Sequence, residues 1–308
     1  MAQTKPKSLF EDSSSGSYTA KDIEVLEGLE PVRKRPGMYI GGIDERALHH
    51  LFAEILDNSM DEAVAGHADR IEVEYFADGT LEVTDNGRGI PIDPHPKFPK
   101  KSALEVILTT LHAGGKFSDK AYQTSGGLHG VGASVVNAVS DRYEVEVARD
   151  RKLYRQTFSR GLPTSKLELI GPAPNRRGTK TRFHPDSEIF GDNVAFKPAR
   201  LFQMARSKAY LHRGVEIRWK CAPERLKEND KTPQEAVLKF PNGLRDFLQE
   251  LTAEKRVTVS EPFVGRNAKE GHGHVEWAVT CPSEAINERS GNKEKGLLTH
   301  KPLPECFC

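Results

Sequence analysis

A stripe of polar side chains follows one face of the helix predicted over Leu48–Val64. It consists of Glu54, Asp57, Asn58 and Asp61. Helical residues three or four positions apart are neighbours, so these side chains lie along one line. Carboxylates alone would form a solvated acidic face, which is the alternative interpretation. The amide of Asn58 beside a carboxylate suits Mg²⁺, which prefers oxygen ligands, and Glu54 can orient and deprotonate a water molecule.

A second candidate segment follows a predicted strand and has the sequence Thr-Asp-Asn-Gly-Arg-Gly-Ile-Pro over residues 84–91. Asp-Asn-Gly alone would be an ordinary turn. Here Gly87 and Gly89 let the backbone approach a flat ligand closely. Asp85 can accept a hydrogen bond from an exocyclic amine of such a ligand.

Glycine dominates a third segment, with Gly-Gly-Lys at residues 114–116 and Ser-Gly-Gly-Leu-His-Gly-Val-Gly at residues 125–132. Glycine exposes backbone N–H groups, and the segment runs into a predicted helix whose dipole favours anions. It therefore predicts a phosphate-binding loop, with a flexible linker as the alternative. The spacing matches neither a Walker A loop nor a dinucleotide-binding fingerprint.

Hydrophobic periodicity predicts the elements that position these segments. The predicted helices are Asp22–Gly28, Leu48–Val64, Ala103–Leu111, Ala133–Val139 and Pro198–Leu211. The predicted strands are Ile71–Phe76, Leu81–Thr84, Tyr143–Ala148, Tyr154–Phe158, Leu167–Ile170, Lys180–Phe183 and Val215–Lys220. A basic turn is expected at residues 32–37, a hairpin at Asp78-Gly79, and a proline- and lysine-rich loop over residues 91–101. Because the sheet would be built mainly from hairpins, we expect an α+β layered domain rather than a parallel doubly wound one.

The pattern also predicts how the chain divides. Residues 1–20 are polar and serine-rich, which is typical of a flexible arm. A second unit begins near Leu238, with a helix over Gly243–Leu251 and strands over Val257–Pro262 and His274–Thr280. We predict domains at residues 21–237 and 238–280, followed by a divergent tail at residues 281–308.

Bulk composition excludes several classes of protein. The 308 residues are 29% charged and carry a net charge of +1, which gives no electrostatic reason for the whole chain to bind nucleic acid. No apolar run approaches the roughly 18 residues of a membrane helix, and no secretory signal is present, so we expect no membrane association and a cytoplasmic location. The four cysteines do not form a disulfide framework. Cys306 and Cys308 with His272 and His274 fit no zinc pattern well, and free thiols are favoured.

Together the three segments resemble the Bergerat ATP-binding fold, an α/β sandwich shared by gyrase-type topoisomerases, Hsp90 chaperones, sensor histidine kinases and MutL mismatch-repair proteins. The shared order is Glu-x-x-x-Asn on a helix, Asp-x-Gly-x-Gly after a strand, and a glycine-rich loop into a helix. The flanking sequence at residues 28–41, Leu-His-His-Leu at residues 48–51 and His-Ala-Gly-Gly-Lys-Phe at residues 112–117 are similar to the B subunits of bacterial gyrase and topoisomerase IV. The similarity covers about residues 18–280, and residues 52–60 and 93–98 favour topoisomerase IV.

This resemblance implies ATP and Mg²⁺ as ligands and a role for each matching residue. Glu54 matches the general base that activates the attacking water, and Asn58 matches the Mg²⁺ ligand. Asp85 matches the acid that binds the adenine amino group, and Thr179 supports it through a water. Arg88 and Arg149 match arginines at the pocket mouth, where inhibitors of the family bind. The other nucleotide-binding positions are Tyr18 of the arm, which reaches into the partner subunit's site, Gly89, Ile90, Pro91, Lys116, Gly127, Leu128, His129, Gly130, Val131 and Gly132.

The resemblance also implies a function: the ATPase portion of a type II topoisomerase that drives DNA strand passage, decatenation and relaxation. In the full-length enzyme the partners would be an A-type subunit and DNA, and the chain would form an ATP-dependent homodimer. A sensor kinase would need a phosphoacceptor helix before the ATP domain, for which residues 1–20 leave no room. A chaperone would lack the motif at residues 112–117 and the arm tyrosine.

The sequence departs from the family after Thr280. The family continues through a transducer domain with a ribosomal-protein-S5-like fold, in which a Gln-Thr-Lys loop places a lysine on the terminal phosphate. Only part of that domain is recognisable here, so we expect a truncated chain whose ATP turnover is slow. A fragment of the gyrase B protein, or an ATP-binding remnant without turnover, is the alternative.

Overall fold

A mixed sheet with helices on one face makes up most of the computed structural model, which describes residues 25–113, 132–228, 230–254, 257–269 and 273–281. Helices α1 to α8 span Glu30–Lys34, Gly37–Ile40, Glu45–Val64, Ala103–Thr109, Gly132–Ala138, Ser187–Phe190, Pro198–Leu211 and Leu244–Leu251. Strands β1 to β13 span Arg70–Tyr75, Leu81–Asp85, Pro94–His95, Phe98–Ser102, Ser140–Arg149, Lys152–Ser159, Leu162–Pro163, Glu168–Pro172, Gly178–Pro185, Glu216–Cys221, Glu235–Leu238, Phe263–Lys269 and Gly273–Val279.

The main sheet has nine strands, in the order β11-β10-β1-β2-β9-β5-β6-β7, with β8 also pairing with β6. Only the β1–β10 pair is parallel among these described strands, and the other neighbours are antiparallel. Antiparallel neighbours can be joined by short turns, as the sequence predicted. The expected α+β class and the α/β sandwich are therefore confirmed.

The two faces of the sheet differ in character because side chains alternate along each strand. On β1, Ile71, Val73 and Tyr75 are buried beneath the helices and belong to one core with Leu51 and Phe52 of α3. The opposite face carries cross-strand ion pairs such as Arg182 with Glu82 and Lys220 with Glu74. Hydrophobic burial on one face thus determines which strand residues point towards α3.

Helix α3 is the long helix predicted from the apolar spacing. Asp44 caps its N-terminus by accepting a hydrogen bond from the Ala47 N–H over 3.0 Å. Its buried residues recur at the spacing expected for a single apolar face. Gly66, with φ of +76°, lies in the left-handed conformation just beyond the end of the helix. Its polar side, which carries Glu54 and Asn58, is left outside the apolar core.

Local predictions were wrong in four places. The described part of the helix predicted at Asp22–Gly28 is not helical, and a short helix starts instead at Glu30, where Pro31 supplies the fixed φ of a first turn. That helix and α2 replace the basic turn expected at residues 32–37. The loop predicted over residues 91–101 contains the hairpin β3–β4, in which prolines are tolerated because a two-stranded ribbon has free edges. The strand predicted at Val257–Pro262 begins only at Phe263, where the chain finds its partner β13.

The chain beyond the main sheet contains α8 and the hairpin β12–β13. Leu238 ends β11 and so still belongs to the main sheet. The domain boundary at residue 238 and the assignment of residues 238–280 to a partial transducer stay predictions, and most of the tail at residues 281–308 lies outside the described residues. Across the described segments, no helix is long and apolar enough to cross a membrane.

Candidate functional site

Asp85 occupies a position where the strand pattern would place an apolar side chain. It ends β2 opposite Ile71, points towards α3, and is only 6% exposed. Its Oδ1 accepts hydrogen bonds from the Gly87 N–H at 2.8 Å and the Thr179 N–H at 3.3 Å. The Ser59 hydroxyl donates to its Oδ2 at 3.2 Å. A buried carboxylate held by three donors is a fixed hydrogen-bond acceptor in an otherwise apolar layer.

Burial raises the pKa of Asp85 from 3.8 to about 6, because the ionised form loses its hydration. The nearby negative charge of Glu62 raises this pKa further, while the hydrogen bonds from Gly87, Thr179 and Ser59 lower it. The carboxylate is therefore ionised at neutral pH and close to its titration point in mild acid.

The turn after Asp85 is fixed by contacts that only glycine allows. A Cβ atom added to Gly87 would lie 2.7 Å from Glu62 Oε2 and 2.9 Å from Asp85 Oδ1. Gly89 has a φ of +78°, and its added Cβ would lie 3.0 Å from the Val147 side chain. These approaches explain the two glycines that the sequence analysis singled out.

Thr179 and the residue before it close the turn from the side of β9. The Thr179 hydroxyl accepts a hydrogen bond from the Ile90 N–H at 3.3 Å. Gly178 has a φ of +106°, and any Cβ there would overlap the carbonyl oxygen of Asp85. Pro91 follows on the exposed surface. The structure thus brings the candidate residues Asp85, Gly89, Ile90 and Thr179 together in one contiguous unit.

Glu54 and Asn58 lie one turn apart on α3, and both side chains are half-buried. His50 Nε2 lies 3.2 Å from Glu54 Oε1, one turn earlier on the helix. Gly132, the first residue of α5, lies so close that a Cβ there would overlap Glu54 Oε2. Helix α3 therefore brings Glu54 beside Gly132, the last residue of the glycine-rich segment.

Arg88 and Arg149 both contact the same turn. The guanidinium of Arg88 donates to both carboxylate oxygens of Glu62, at 2.7 and 3.1 Å, and the Arg88 N–H donates to Glu62 Oε2 at 2.9 Å. Arg149 donates to the Gly89 carbonyl oxygen at 2.9 Å. The bidentate pair with Glu62 fixes the orientation of Arg88, and Arg149 is held by its single hydrogen bond to the Gly89 carbonyl.

The polar stripe of α3 is less uniform than the sequence suggested. Asp57 points towards α7, where Lys208 Nζ lies 2.6 Å from its Oδ1. Asp61 is buried, at 2% exposed. Glu62 contacts the turn after Asp85 by accepting a hydrogen bond from the Arg88 N–H. The stripe therefore divides between the candidate site and the helix packed behind it.

Three contributors to the site were missed in the sequence: Ser59, Glu62 and His50. Glu62 and His50 are spaced four residues from Asn58 and Glu54, so helical spacing alone could have indicated them. Ser59 interrupts the apolar face of α3, and a hydroxyl at such a position signals a buried polar partner. Only the packing of β2 against α3 identifies that partner as Asp85.

Several predicted residues lie outside the described part of the chain: Tyr18, Lys116, Gly127, Leu128, His129, Gly130 and Val131. Of the candidate zinc residues, Cys306, Cys308 and His272 also lie outside it. A separate cleft of about 620 Å³ is lined by Phe76, Arg142 and Phe183 and contains none of the candidate site residues.

The site combines three features: the buried hydrogen-bond acceptor Asp85, the pair Glu54 and Asn58 on α3, and the glycine-containing turn after Asp85. Asp85 fits an amino group on a flat ring, since its remaining acceptor capacity lies on Oδ2. Glu54 and Asn58 supply oxygen atoms that suit a hard cation. Among the residues that the structure describes, no group of three or more His, Cys, Asp or Glu could hold a metal ion.

Comparison with known proteins agrees with this arrangement. Residues 43–189 match the family model of histidine kinase-, DNA gyrase B- and HSP90-like ATPases. The DNA topoisomerase 4 B subunit of Caulobacter vibrioides is 62% identical over 294 residues, which are 95% of this chain and 42% of that protein. The DNA gyrase B subunit of Thermotoga maritima is 49% identical over 252 residues, which are 82% of this chain and 38% of that protein.

A solved structure has the same fold. The 43K ATPase domain of Thermus thermophilus gyrase B, crystallised with an aminocoumarin, superposes with a TM-score of 0.68 and 40% identity. The match covers 82% of this chain and 62% of that one. The chain spans about two fifths of the length of the curated relatives it matches.

Proposed function

We propose that this chain belongs to the family of B subunits of bacterial type II DNA topoisomerases, and that it binds ATP with Mg²⁺ and hydrolyses it. The observation that carries the proposal is the buried carboxylate of Asp85, held by Gly87, Thr179 and Ser59 on the face that α3 covers. A desolvated carboxylate is costly unless a ligand or fixed donors compensate it. A nucleotide base with an amino group would supply the missing partner.

Adenine recognition follows from the acceptor geometry. Oδ1 of Asp85 already takes two backbone N–H groups, so Oδ2 is the oxygen left to face a ligand amine. Thr179 keeps its hydroxyl beside the Ile90 N–H, where it can hold a bridging water. A ring bearing a carbonyl in place of the amine would place two acceptors against each other and would be rejected.

Hydrolysis is assigned to the polar face of α3. Glu54 orients a water molecule and accepts its proton, and His50 holds the Glu54 carboxylate in place. Asn58 would hold Mg²⁺, which when bound neutralises charge on the phosphates. Gly132, at the start of α5, lets its backbone pack directly against the Glu54 carboxylate, because a Cβ at this position would overlap Glu54 Oε2. Lys116, Gly127, Leu128, His129, Gly130 and Val131 are proposed as further phosphate contacts.

The wider function is proposed by analogy with the relatives. Identities of 62% and 60% to topoisomerase 4 B subunits, against 49% to a gyrase B protein, favour topoisomerase IV. The chain would then serve an enzyme that passes one DNA segment through another, with an A-type subunit and DNA as partners. We further propose ATP-dependent dimerisation through the arm that carries Tyr18, inhibitor contacts at Arg88 and Arg149, and a cytoplasmic location.

Calorimetry tests the proposal directly. The 308-residue chain is titrated with a non-hydrolysable ATP analogue and MgCl₂, and Asp85→Ala serves as the site variant. Saturable binding of one nucleotide per chain, lost in Asp85→Ala, is expected. A folded chain that binds no nucleotide, or that binds equally well without Asp85, would refute the proposed site.

A further inference from the structure

The cleft of about 620 Å³ lies on the face of the main sheet opposite α3. Arg182, Glu144 and Thr157 form a row across β9, β5 and β6 in this cleft, because they are direct partners in the strand register. Their chain neighbours Phe183 and Tyr143 are buried in the core beneath the helices, so the row points the other way. Ligand pockets usually enclose about 300–1,000 Å³, so this cleft has the size of a binding site.

Charges of both signs and an aromatic ring line the cleft. The Arg182 guanidinium lies over the Phe76 ring, 4.3 Å from the ring centroid. Arg142 pairs with Asp78 at 3.2 Å, and these two side chains are 61% and 52% exposed. An ion pair this exposed contributes little stability, so either member can exchange its partner for a charged group of a ligand. The cleft therefore suits an aromatic side chain flanked by charged ones.

The N-terminal arm, residues 1–20, joins the described chain at the rim of this cleft. Leu29 packs on the turn between β6 and β7, where a Cβ added to Gly161 would lie 3.0 Å from Leu29 Cδ1. Ser159 and Thr164, on either side of this turn, line the cleft. The arm lies shortly before Leu29 in the sequence, and an extended chain advances about 3.5 Å per residue. The arm is therefore long enough to enter the cleft of its own chain.

The arm contains a segment whose pattern complements the cleft. Residues 5–12 have the sequence Lys-Pro-Lys-Ser-Leu-Phe-Glu-Asp, which places an apolar pair between two lysines and two acids. The acids fit the arginines of the cleft, the lysines fit its carboxylates, and the ring of Phe10 fits its aromatic wall. Residues 114–131 instead lead into Gly132, beside Glu54 of α3 on the opposite face of the sheet. Charge pattern and chain position therefore both favour the arm.

We propose that residues 5–12 of the arm dock in this cleft of their own chain when no nucleotide is bound. Phe10 lies against the Phe76 ring, and the acids that follow Phe10 replace Asp78 as partners of Arg142. The proposal goes beyond the proposed function, since the cleft contains none of the candidate residues of the nucleotide site. An arm held in this way is withheld from a partner chain, so docking on its own sheet opposes dimerisation through the arm.

Limited digestion of the nucleotide-free 308-residue chain with chymotrypsin tests this docking. Chymotrypsin cleaves after aromatic residues, and mass spectrometry follows the cleavage after Phe10. A synthetic peptide of residues 1–20 gives the cleavage rate of the unbound segment. Cleavage of the chain follows the population in which the segment is released. We expect cleavage after Phe10 to be at least about fivefold slower in the chain than in the peptide.

Variants of the cleft identify where the segment docks. Arg142→Glu places an acid against the acidic end of the segment and should remove the protection, whereas Arg142→Lys keeps the charge and should preserve it. Arg218→Glu is the matched control, because Arg218 is also half exposed and pairs with Glu216 at 2.8 Å outside the cleft. If circular dichroism shows Arg142→Glu to be unfolded, Thr164→Trp, which fills the exposed rim of the cleft, replaces it with the same expectation.

Equal cleavage rates after Phe10 in the chain and in the peptide would overturn the proposal. Protection that persists in folded Arg142→Glu and Thr164→Trp would place the segment outside the cleft and would overturn it as well. Protection that increases with protein concentration would show that the segment docks on a second copy of the chain, which contradicts docking within one chain. None of these outcomes bears on nucleotide binding, which calorimetry measures separately.

Discussion

Ser59 and Asp85 are joined by a hydrogen bond of 3.2 Å between the α3 hydroxyl and Oδ2 of the carboxylate. This contact links the helix that carries Glu54 and Asn58 to the strand that carries the base-binding acid. Because both partners are buried, the bond determines the direction in which Asp85 presents its remaining acceptor capacity. Helix and strand are thereby fixed relative to each other before any ligand arrives.

Replacing Asp85 with asparagine should abolish most nucleotide binding. The amide has only one oxygen, which the Gly87 and Thr179 N–H groups would occupy, so its NH₂ group would face the adenine amine. We expect affinity to fall about 10- to 150-fold, the range for losing a hydrogen bond to a charged group. Calorimetry measures this, with Asp141→Asn, which is paired with His184 away from the site, as the control. Unchanged affinity in Asp85→Asn would contradict base recognition by this carboxylate.

Nucleotide affinity should fall as the pH drops through about 6, the raised pKa of Asp85. Above that pH the carboxylate is ionised and accepts a hydrogen bond strongly, and below it the added proton competes with the ligand amine. Affinity measured between about pH 5 and about pH 8, the range in which folded proteins are usually most stable, should show this step in wild type. A step of equal size in Asp85→Asn would assign the titration to another group.

Gly178→Ala should destabilise the protein more than Gly41→Ala does. Both glycines have positive φ, at +106° and +77°, but only at Gly178 would a Cβ overlap the Asp85 carbonyl, whereas Gly41 has open space. The unfavourable backbone alone costs about 1–3 kcal/mol, and relieving the overlap adds about 1–3 kcal/mol. Urea denaturation of the two variants gives the comparison. Equal losses of unfolding free energy would show that the close approach of β9 to Asp85 is relaxed in solution.

Much of this architecture follows from local pattern. The apolar spacing of α3 and the Asp78-Gly79 turn predicted a helix and a hairpin, and both are present. Asp78 fixes that turn through its own neighbours, accepting a hydrogen bond from the Thr80 N–H at 2.9 Å. Such features depend on residues close in sequence, so the sequence alone reveals them.

Features that depend on distant partners could not be predicted. Val257–Pro262 has strand-forming residues, yet pairing with β13 begins only at Phe263. Asp57 belongs to the same polar stripe as Glu54, but its role depends on Lys208, 151 residues later in the chain. Similarly, the requirement for Gly178 depends on the backbone of Asp85. In each case the outcome depends on tertiary contacts with residues far away in the chain, which the local sequence does not reveal.

Unfolding free energy should decrease in mild acid because of His49. Burial lowers the pKa of His49 below its usual 6.5, and its ring bridges the Glu45 carbonyl and the Lys197 N–H, which requires the neutral form. Below pH 6.5 the unfolded chain binds a proton that the folded chain does not, so this contribution is present above that pH and is lost as the pH falls.

The titration of Asp85 changes the free energy of unfolding in the opposite direction. Its folded pKa is raised, so its contribution is present below 3.8 and is lost as the pH rises towards about 6. Urea denaturation at several pH values should therefore be done in the Asp85→Asn background, with and without His49→Gln, which cannot titrate. We expect the free energy of unfolding to fall in mild acid only in the protein that keeps His49. Identical pH profiles would show that His49 is protonated in the folded state.

Glu54→Gln should separate nucleotide binding from hydrolysis. Glutamine keeps the size of the side chain and can still contact His50, so calorimetric affinity for the ATP analogue should change little. It cannot accept a proton from water, and loss of a general base lowers turnover by about 10²- to 10⁴-fold. His50→Gln should have a smaller effect, because it removes the partner that lies 3.2 Å from Glu54 Oε1 but leaves the base itself.

Turnover is measured as phosphate release under single-turnover conditions, so that slow product release does not mask the chemical step. The matched control is Glu188→Gln, an exposed acid whose partners Arg33 and Arg160 lie away from α3. Equal loss of affinity and turnover in Glu54→Gln would mean that Glu54 serves binding rather than proton transfer. Full turnover in Glu54→Gln would place the base elsewhere, and the arrangement of His50, Glu54 and Gly132 would then serve only to hold α5 against α3.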